Sequence, residues 1–240
     1  MRLDRRLVDE GLAPSRARAR ALIEAGVVTV GGRIVRKPSD TVTGTLAVTD
    51  DPNPWVSRAG LKLDHALEAF ELTPSGTALD VGASTGGFTE VLLARGADRV
   101  YAVDVGHGQL APKLADDPRV TNIEGTNARN LAPGAVPAPD WITVDLSFIS
   151  LEKVLPAILG LARDGAVLVA LVKPQFEAGP AHVGKGGIVR NRAVQGVVLS
   201  RIRTLLRDLG WAIIGETESP IEGGDGNREF LIAARAPGAR

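Results

Sequence analysis

Residues 78–90 read Ala-Leu-Asp-Val-Gly-Ala-Ser-Thr-Gly-Gly-Phe-Thr-Glu, and this stretch decides the fold of the 240-residue chain. A short apolar run containing Asp80 is followed by a loop with Gly82, Gly86 and Gly87, after which a helix is predicted. Glycines allow a sharp turn and a close approach of a ligand, and the helix N-terminus leaves N–H groups facing the loop. The stretch is therefore typical of the first strand–loop–helix of a nucleotide-binding α/β fold.

The spacing of these glycines differs from the dinucleotide pattern G-x-G-x-x-G. Together with the acid at the end of the strand, it favours a cofactor with an amino-acid end and a nucleoside end. That description fits S-adenosylmethionine better than NAD. An ordinary strand–helix turn stays open as an alternative, because a lone glycine loop is a weak signal.

The composition restricts the class of protein. The length suits one α/β domain with a small extra module, and 44% hydrophobic and 23% charged residues are typical of a globular protein. The absence of cysteine excludes disulfides, thiolate zinc sites and a cysteine nucleophile. The three histidines are far apart, so no metal site is predicted. With no apolar run that would span a bilayer and no signal-peptide pattern, we expect a cytoplasmic protein and no membrane partner.

Charge is distributed unevenly along the chain. The formal net charge is zero, but residues 1–40 hold nine Lys and Arg against five Asp and Glu, whereas the remainder holds 19 against 23. A basic head on an acidic body indicates an anionic partner for the head.

The head has a clear order of predicted elements. Ser15 is a good N-cap, Gly26 a good helix stop, and Gly31-Gly32 a hairpin turn. The predicted order is two helices, a strand and a returning strand, at residues 1–11, 16–25, 27–30 and 33–35.

The head's sequence from residue 2 to 39, RLDRRLVDEGLAPSRARARALIEAGVVTVGGRIVRKPS, closely resembles the small αL RNA-binding domain. That domain is shared by a small-subunit ribosomal protein and many rRNA-modifying enzymes. The resemblance implies RNA binding, with basic side chains as candidate phosphate contacts: Arg5, Arg6, Arg16, Arg20, Arg33 and Lys37. Taken alone, the arginine run at 16–20 is more typical of a solvated helix face, and it is the order of the elements that favours RNA binding.

Strands and helices alternate regularly in the rest of the chain. The predicted strands are residues 77–81, 99–104, 120–124, 141–144 and 166–172, followed by a pair antiparallel to each other at 211–217 and 229–234. This alternation predicts a doubly wound, Rossmann-like, mostly parallel sheet, joined to a small α+β N-terminal domain. The predicted domains are 1–50 and 58–240, with a linker at 51–57 that begins in a turn-rich segment. A long loop at 178–191 is predicted to be a lid.

Reactive side chains stand at the ends of predicted strands, where open α/β sheets bind their ligands. They are Asp80, Asp104, Asp145 and Lys173, with Glu229 at the start of the last strand and Lys62 on the helix before the first. Asp104 lies 22 residues after Gly82, the usual spacing of an acid that binds ribose hydroxyls. Structural ion pairing remains an alternative for the lysine and its acids.

Six motifs spread over the chain carry a more specific resemblance. They are WVSRAGLKLDHAL from residue 55, ALDVGASTGGFTE from 78, VDLSFISL from 144, LVKPQFEAG from 171, VGKGGIVR from 183 and GNREFL from 226. They resemble the TlyA family, whose members are named as haemolysins but act as rRNA 2′-O-methyltransferases with an FtsJ-like fold. The resemblance implies a catalytic tetrad of Lys62, Asp145, Lys173 and Glu229. It also implies S-adenosylmethionine contacts from Asp80, Gly82, Ser84, Gly86 and Phe88, with Asp104 and Asn127 as further contacts. Ala59 departs from the glycine expected at its position.

The residue types suggest a mechanism. Lys173 would be the general base for a ribose hydroxyl, with partial burial and the neighbouring cation Lys62 favouring its uncharged form. Asp145 and Glu229 would orient the lysines, and the methyl donor needs no metal.

The resemblance further implies a cytidine of rRNA as the target. The family has a longer form that modifies both ribosomal subunits and a shorter form restricted to the large subunit. Because the chain begins almost directly with the first helix and ends soon after the last strand, we expect the large-subunit form. We also expect a monomer.

Two alternatives remain: a membrane-active haemolysin and a non-catalytic RNA-binding protein. A pseudouridine synthase, another class of enzyme with an αL domain, is excluded by the cofactor loop.

Overall fold

The computed structural model describes residues 1–13, 15–49 and 53–238. The chain divides into two compact units, Met1–Pro54 and Trp55–Arg240. The turn-rich segment of the predicted linker falls partly on residues 50–52, which lie outside the described residues.

The first unit is a small α+β domain. Its elements are helices α1 (Leu3–Asp9) and α2 (Arg16–Ala25) and strands β1 (Val28–Val30), β2 (Arg33–Ile34) and β3 (Leu46–Val48). The strands form an antiparallel sheet in the order β2-β1-β3. The two caps predicted for α2 are confirmed, since Ser15 Oγ accepts a hydrogen bond from Arg18 N at 3.2 Å and Gly26 has φ +76°. Leu7, Ile23 and Val28 are fully buried between the helices and the sheet.

The second unit contains one seven-stranded sheet. Its strands are β4 (Thr77–Val81), β5 (Arg99–Val103), β6 (Val120–Ile123), β7 (Trp141–Val144), β8 (Val167–Val172), β9 (Ala212–Glu218) and β10 (Phe230–Arg235). Its helices are α3 (Ala59–Ala69), α4 (Gly87–Arg95), α5 (Pro112–Ala115), α6 (Leu155–Leu159), α7 (Pro174–Glu177) and α8 (Arg192–Asp208).

The order of the strands is β6-β5-β4-β7-β8-β10-β9. The first five are parallel, and β10 runs antiparallel to both β8 and β9. This arrangement confirms the predicted doubly wound, mostly parallel sheet and the antiparallel pair at its end.

Strand β8 shows how the core fixes the sheet. All six of its residues are buried. Leu168, Ala170 and Val172 belong to the apolar cluster on one face, and the residues between them belong to the cluster on the other. A central strand covered on both faces reads as a continuous apolar run, as residues 166–172 do.

The reversal of β10 brings a distant part of the chain to the edge of the sheet where the parallel strands end. The carboxyl ends of the five parallel strands lie at one edge of the sheet, and β10 begins there because it runs the other way. Its first residue, Phe230, pairs with Val172, the last residue of β8. Glu229 and Lys173, the next residues outward on each strand, are therefore neighbours at this edge.

Candidate active site

The four residues of the predicted tetrad form two buried ion pairs at this edge. Lys62 Nζ contacts Glu229 Oε2, and Lys173 Nζ lies 2.6 Å from Asp145 Oδ1. The Lys62 and Lys173 side chains are 10% and 11% exposed, so little water screens either pair. Four residues from four separate parts of the sequence thus bring two amines and two carboxylates side by side.

The first pair joins α3 to the start of β10. Glu229 is 3% exposed and lies behind Lys62, which itself lines a cavity. Gly223 passes so close that a Cβ there would come within 2.4 Å of Glu229 Oε1. The glycine-rich segment before β10 therefore covers this carboxylate.

The second pair has a third partner, Ser147, which was not predicted from the sequence. Lys173 Nζ donates a hydrogen bond to Ser147 Oγ at 3.0 Å, in addition to its ion pair with Asp145. The two contacts hold Nζ between residues of one loop. Ser147 stands two residues after Asp145 in the motif VDLSFISL, and that proximity was the signal available in the sequence.

Two adjoining cavities meet at this loop. The catalytic cavity, of about 310 Å³, is lined by Lys62, Lys173, Asp145 and Ser147, with Phe88 and Ser84 on its wall. The second, of about 480 Å³ and here called the cofactor cavity, is lined by Gly82, Asp104 and Asn127 among others. Gly82, Ser84, Asp145 and Ser147 line both. A molecule in the cofactor cavity would thus lie directly beside the lysines.

The glycine loop between β4 and α4 has the backbone that its sequence predicts. Gly82 has φ +85°, and a Cβ there would lie 2.3 Å from the carbonyl oxygen of Asp145. Gly86 has φ +95° and caps α4. Ser84 also lies in the left-handed region, at φ +47°, where a residue other than glycine is strained.

Asp104 holds this loop in place. Its Oδ2 accepts a hydrogen bond from Ser84 N at 2.8 Å, and its Oδ1 accepts one from Gly106 N at 2.8 Å. Since a carboxylate has about four lone-pair sites, both oxygens retain capacity to bind ribose hydroxyls in the cavity.

Asp80 lies apart from both cavities. It is fully buried, and it accepts hydrogen bonds from Thr89 Oγ1 at 2.7 Å and Thr143 Oγ1 at 2.8 Å. Burial raises the pKa of Asp80 to about 6. Within the described residues neither cavity is lined by Asp80, so its geometry supports a role in anchoring α4 to the sheet rather than direct contact with a cofactor.

The six basic residues predicted to contact RNA divide into two groups. Arg5, Arg20, Arg33 and Lys37 are exposed. Arg6 and Arg16 have structural partners, which are described next. Of these two, only Arg6 is largely covered, since the Arg16 side chain is 57% exposed.

Arg6 pairs with Glu10 and donates hydrogen bonds to the carbonyl oxygens of Val42 and Gly44 at 3.1 and 3.0 Å. Arg16 lies 3.0 Å from the buried carboxylate of Asp4. Hydrogen bonds from Arg2 and Arg16 hold the pKa of Asp4 well below its usual range. These two arginines help to fold the first unit whether or not they also contact RNA.

Comparison with known proteins agrees with this geometry. Residues 55–236 match the FtsJ-like methyltransferase family, and residues 1–48 match the S4 domain. The 16S/23S rRNA (cytidine-2′-O)-methyltransferase TlyA of Mycobacterium tuberculosis is 48% identical over 98% of this chain and 89% of its own length. The 23S rRNA (cytidine-2′-O)-methyltransferase TlyA of Campylobacter jejuni is 32% identical over 93% of this chain and 95% of its own length.

A solved structure gives the same result. It is that of a hemolysin-named protein from Streptococcus thermophilus, 40% identical, which superimposes with a TM-score of 0.78 over 99% of this chain and 88% of its own. Both domains and the full-length similarity confirm the resemblance read from the motifs. The chain therefore belongs to the TlyA family of FtsJ-like, S-adenosylmethionine-dependent rRNA methyltransferases.

Proposed function

We propose that this chain transfers a methyl group from S-adenosylmethionine to the ribose 2′-hydroxyl of a cytidine in ribosomal RNA. The observation that carries the proposal is the position of Lys173, which is held by Asp145 and Ser147 where the catalytic and cofactor cavities meet. Transfer to a hydroxyl requires a proton acceptor within reach of the donor, and this is the place that would supply one.

The residues of the cofactor cavity fit the methyl donor. Gly82 lets the loop that lines this cavity pack against the backbone of Asp145, where a Cβ would collide with the carbonyl oxygen. Asp104 offers carboxylate oxygens to ribose hydroxyls, and Asn127 lies on the same wall. When bound, S-adenosylmethionine supplies an electrophilic methyl group on a sulfonium that becomes a neutral thioether after transfer.

The chain's own task is to orient the hydroxyl and to take its proton. Lys173 would accept that proton at Nζ, and the methyl donor held in the cofactor cavity would supply the electrophilic methyl group. The resulting ammonium lies 2.6 Å from the carboxylate of Asp145, which stabilises it. Glu229 neutralises Lys62 on the other side of the cavity. Removing a positioned general base typically lowers the rate by about 10²- to 10⁴-fold.

The first unit would supply affinity for the RNA. Exposed basic side chains on an S4 domain suit phosphate contacts, which add salt-dependent affinity without reading sequence. An rRNA substrate would place the enzyme in the cytoplasm, where ribosomes are found.

The preference for the large subunit stays a prediction, as does the monomeric state. The Mycobacterium tuberculosis relative, named for both 16S and 23S rRNA, is 48% identical, whereas the Campylobacter jejuni relative, named for 23S rRNA alone, is 32% identical. Similarity alone does not separate the two substrate ranges.

Methyl transfer to separated subunits tests the proposal. We expect S-adenosylmethionine with a labelled methyl group to label 50S subunits from a strain that lacks this modification, and labelling of 30S subunits would contradict the large-subunit preference. Failure to label either subunit would refute the proposed function.

The haemolysin alternative has a separate test, leakage from liposomes of defined composition. No helix in the described part of the chain is long and apolar enough to cross a membrane. Leakage at the protein concentrations used in the methyl-transfer assay, with no methyl transfer to rRNA, would favour the haemolysin alternative.

A further inference from the structure

Glu177 is a buried carboxylate that the mechanism above does not use. It is 6% exposed and is the last residue of α7, the short helix that starts directly after Lys173. Burial raises the pKa of this carboxyl group. In the described part of the chain it lines neither the catalytic nor the cofactor cavity.

Both oxygens of Glu177 bind the loop that follows β7. Oε2 accepts a hydrogen bond from Ser150 Oγ at 2.6 Å, and Oε1 accepts one from Leu151 N at 2.8 Å. This loop, residues 145–151, begins with Asp145 and contains Ser147, the two residues that hold the Lys173 amine. Glu177 therefore ties the segment carrying the proposed base to the segment carrying the groups that orient it.

The loop needs such a tie because its backbone is strained. Phe148 has φ +65°, a conformation that is strained for a residue other than glycine. Its side chain is 91% exposed, so burial does little to offset that strain. The Phe148 ring touches the Phe176 ring at a centroid distance of 5.1 Å, a second but weaker link to α7. The two hydrogen bonds to Glu177 lie at the far end of the strained turn and oppose its relaxation.

The contacts form a closed frame. At one end, Lys173 Nζ meets Asp145 and Ser147, and at the other, Glu177 meets Ser150 and Leu151. We propose that Glu177 is a positioning residue, which keeps Ser147 and Asp145 against the Lys173 amine so that its lone pair points into the catalytic cavity. The proposal deepens the proposed function and rests on it.

The test compares Glu177→Gln with a matched control from the same surface. Glutamine has the same shape, and its amide oxygen can still accept from Leu151 N, but the bond to Ser150 Oγ must reverse its direction and both bonds lose the strength that a carboxylate acceptor gives. Glu152→Gln is the control, because Glu152 neighbours these contacts but its carboxylate pairs with Arg201 at the surface. Arg201 also donates to the backbone carbonyl oxygen of Glu177, a contact that does not involve the Glu177 side chain. Ser150→Ala, which removes the donor to Oε2 together with the acceptor for Glu152 N, serves as a milder variant that keeps the buried carboxylate.

In single-turnover methyl transfer, Glu177→Gln should lower the rate by about 10- to 100-fold, since small displacements of catalytic groups have effects of this size. The KM values for S-adenosylmethionine and for rRNA should change less than twofold, and Glu152→Gln should match the wild type. Added to Lys173→Met, Glu177→Gln should cause no further loss. Additive losses, or a loss explained entirely by raised KM values, would overturn the proposal.

A second measurement does not depend on methyl transfer. The rate at which an amine-reactive reagent labels Lys173, followed by peptide mass spectrometry, should rise several-fold in Glu177→Gln and, to a smaller extent, in Ser150→Ala. It should not rise in Glu152→Gln. Unchanged labelling in all three folded variants would refute the positioning role, even if the wild type proved inactive on rRNA. If labelling rose as expected but the wild type were inactive on rRNA, only the proposed function would be refuted.

Discussion

Breaking the Lys62–Glu229 pair should damage stability and catalysis in separable ways. Both side chains are at least nine-tenths buried. Removing one partner of such a pair leaves a buried charge uncompensated, which costs about 3–5 kcal/mol. We therefore expect Glu229→Leu to destabilise the second unit by that amount, a large part of the roughly 5–15 kcal/mol that stabilises a typical domain.

The double variant Lys62→Met/Glu229→Leu separates the two effects. Replacing a whole buried ion pair by apolar side chains of similar size is often neutral or stabilising. The double variant should therefore regain most of the stability lost by Glu229→Leu, while methyl transfer stays at background because the cavity has lost its cation.

Tryptophan fluorescence during guanidinium unfolding provides the assay. The chain has three tryptophans, at positions 55, 141 and 211, and all belong to the second unit. The signal therefore reports the unit that contains the pair. Near-normal methyl transfer by the double variant would refute the catalytic role of Lys62. If Glu229→Leu lowered the free energy of unfolding by less than about 1 kcal/mol, the inference that the Lys62–Glu229 pair is buried would be refuted.

Three further outcomes are expected. The folded-state pKa of Asp80, about 6, lies above its unfolded value, so the second unit should lose about 3 kcal/mol of stability as pH rises from about 4 to 6. Asp80→Asn should flatten that fall in stability, measured by fluorescence-monitored unfolding at about pH 4–7. Gly82→Ala should weaken binding of S-adenosylmethionine at least tenfold by calorimetry, because its φ is +85° and the new Cβ meets backbone, whereas Gly196→Ala on α8 has open space and should bind normally. In a salt titration of RNA binding, Arg20→Glu should weaken affinity and lower the slope of log affinity against log salt concentration by about 1 or more, with the melting temperature unchanged. Arg16→Glu should also lower the melting temperature, because Arg16 contacts the buried Asp4. An unchanged slope would remove Arg20 from the RNA contacts.

Much of the fold could be predicted because its signals are local. A few adjacent residues are enough to predict the glycine loop, the caps of α2 and the buried strand β8. Strand β3 has no such signal, since it contains three residues of which only Leu46 is buried. It exists because β1 offers it an edge to pair with, which is information from the tertiary structure.

Site residues that end a strand could be predicted from the sequence. Residues that act through a distant partner could not. Lys173 and Asp145 follow buried strands, so the geometry of a parallel sheet places them together. The contacts of Ser147 and Glu177 depend on a turn with a left-handed residue, which the sequence did not reveal. Asp80 was predicted as a cofactor contact from its place in a motif, but the direction of its side chain follows from strand alternation and is toward Thr89 and Thr143.

The central claim is that Lys173 takes a proton from a ribose 2′-hydroxyl of rRNA. Its most direct test is nucleoside mass spectrometry of rRNA after incubation with S-adenosylmethionine and either the wild type or Lys173→Met, with cofactor binding measured in parallel. The account predicts 2′-O-methylcytidine with the wild type only, and equal cofactor affinity for both proteins. Methylation on a base, or 2′-O-methylcytidine formed at a comparable rate by Lys173→Met, would contradict it.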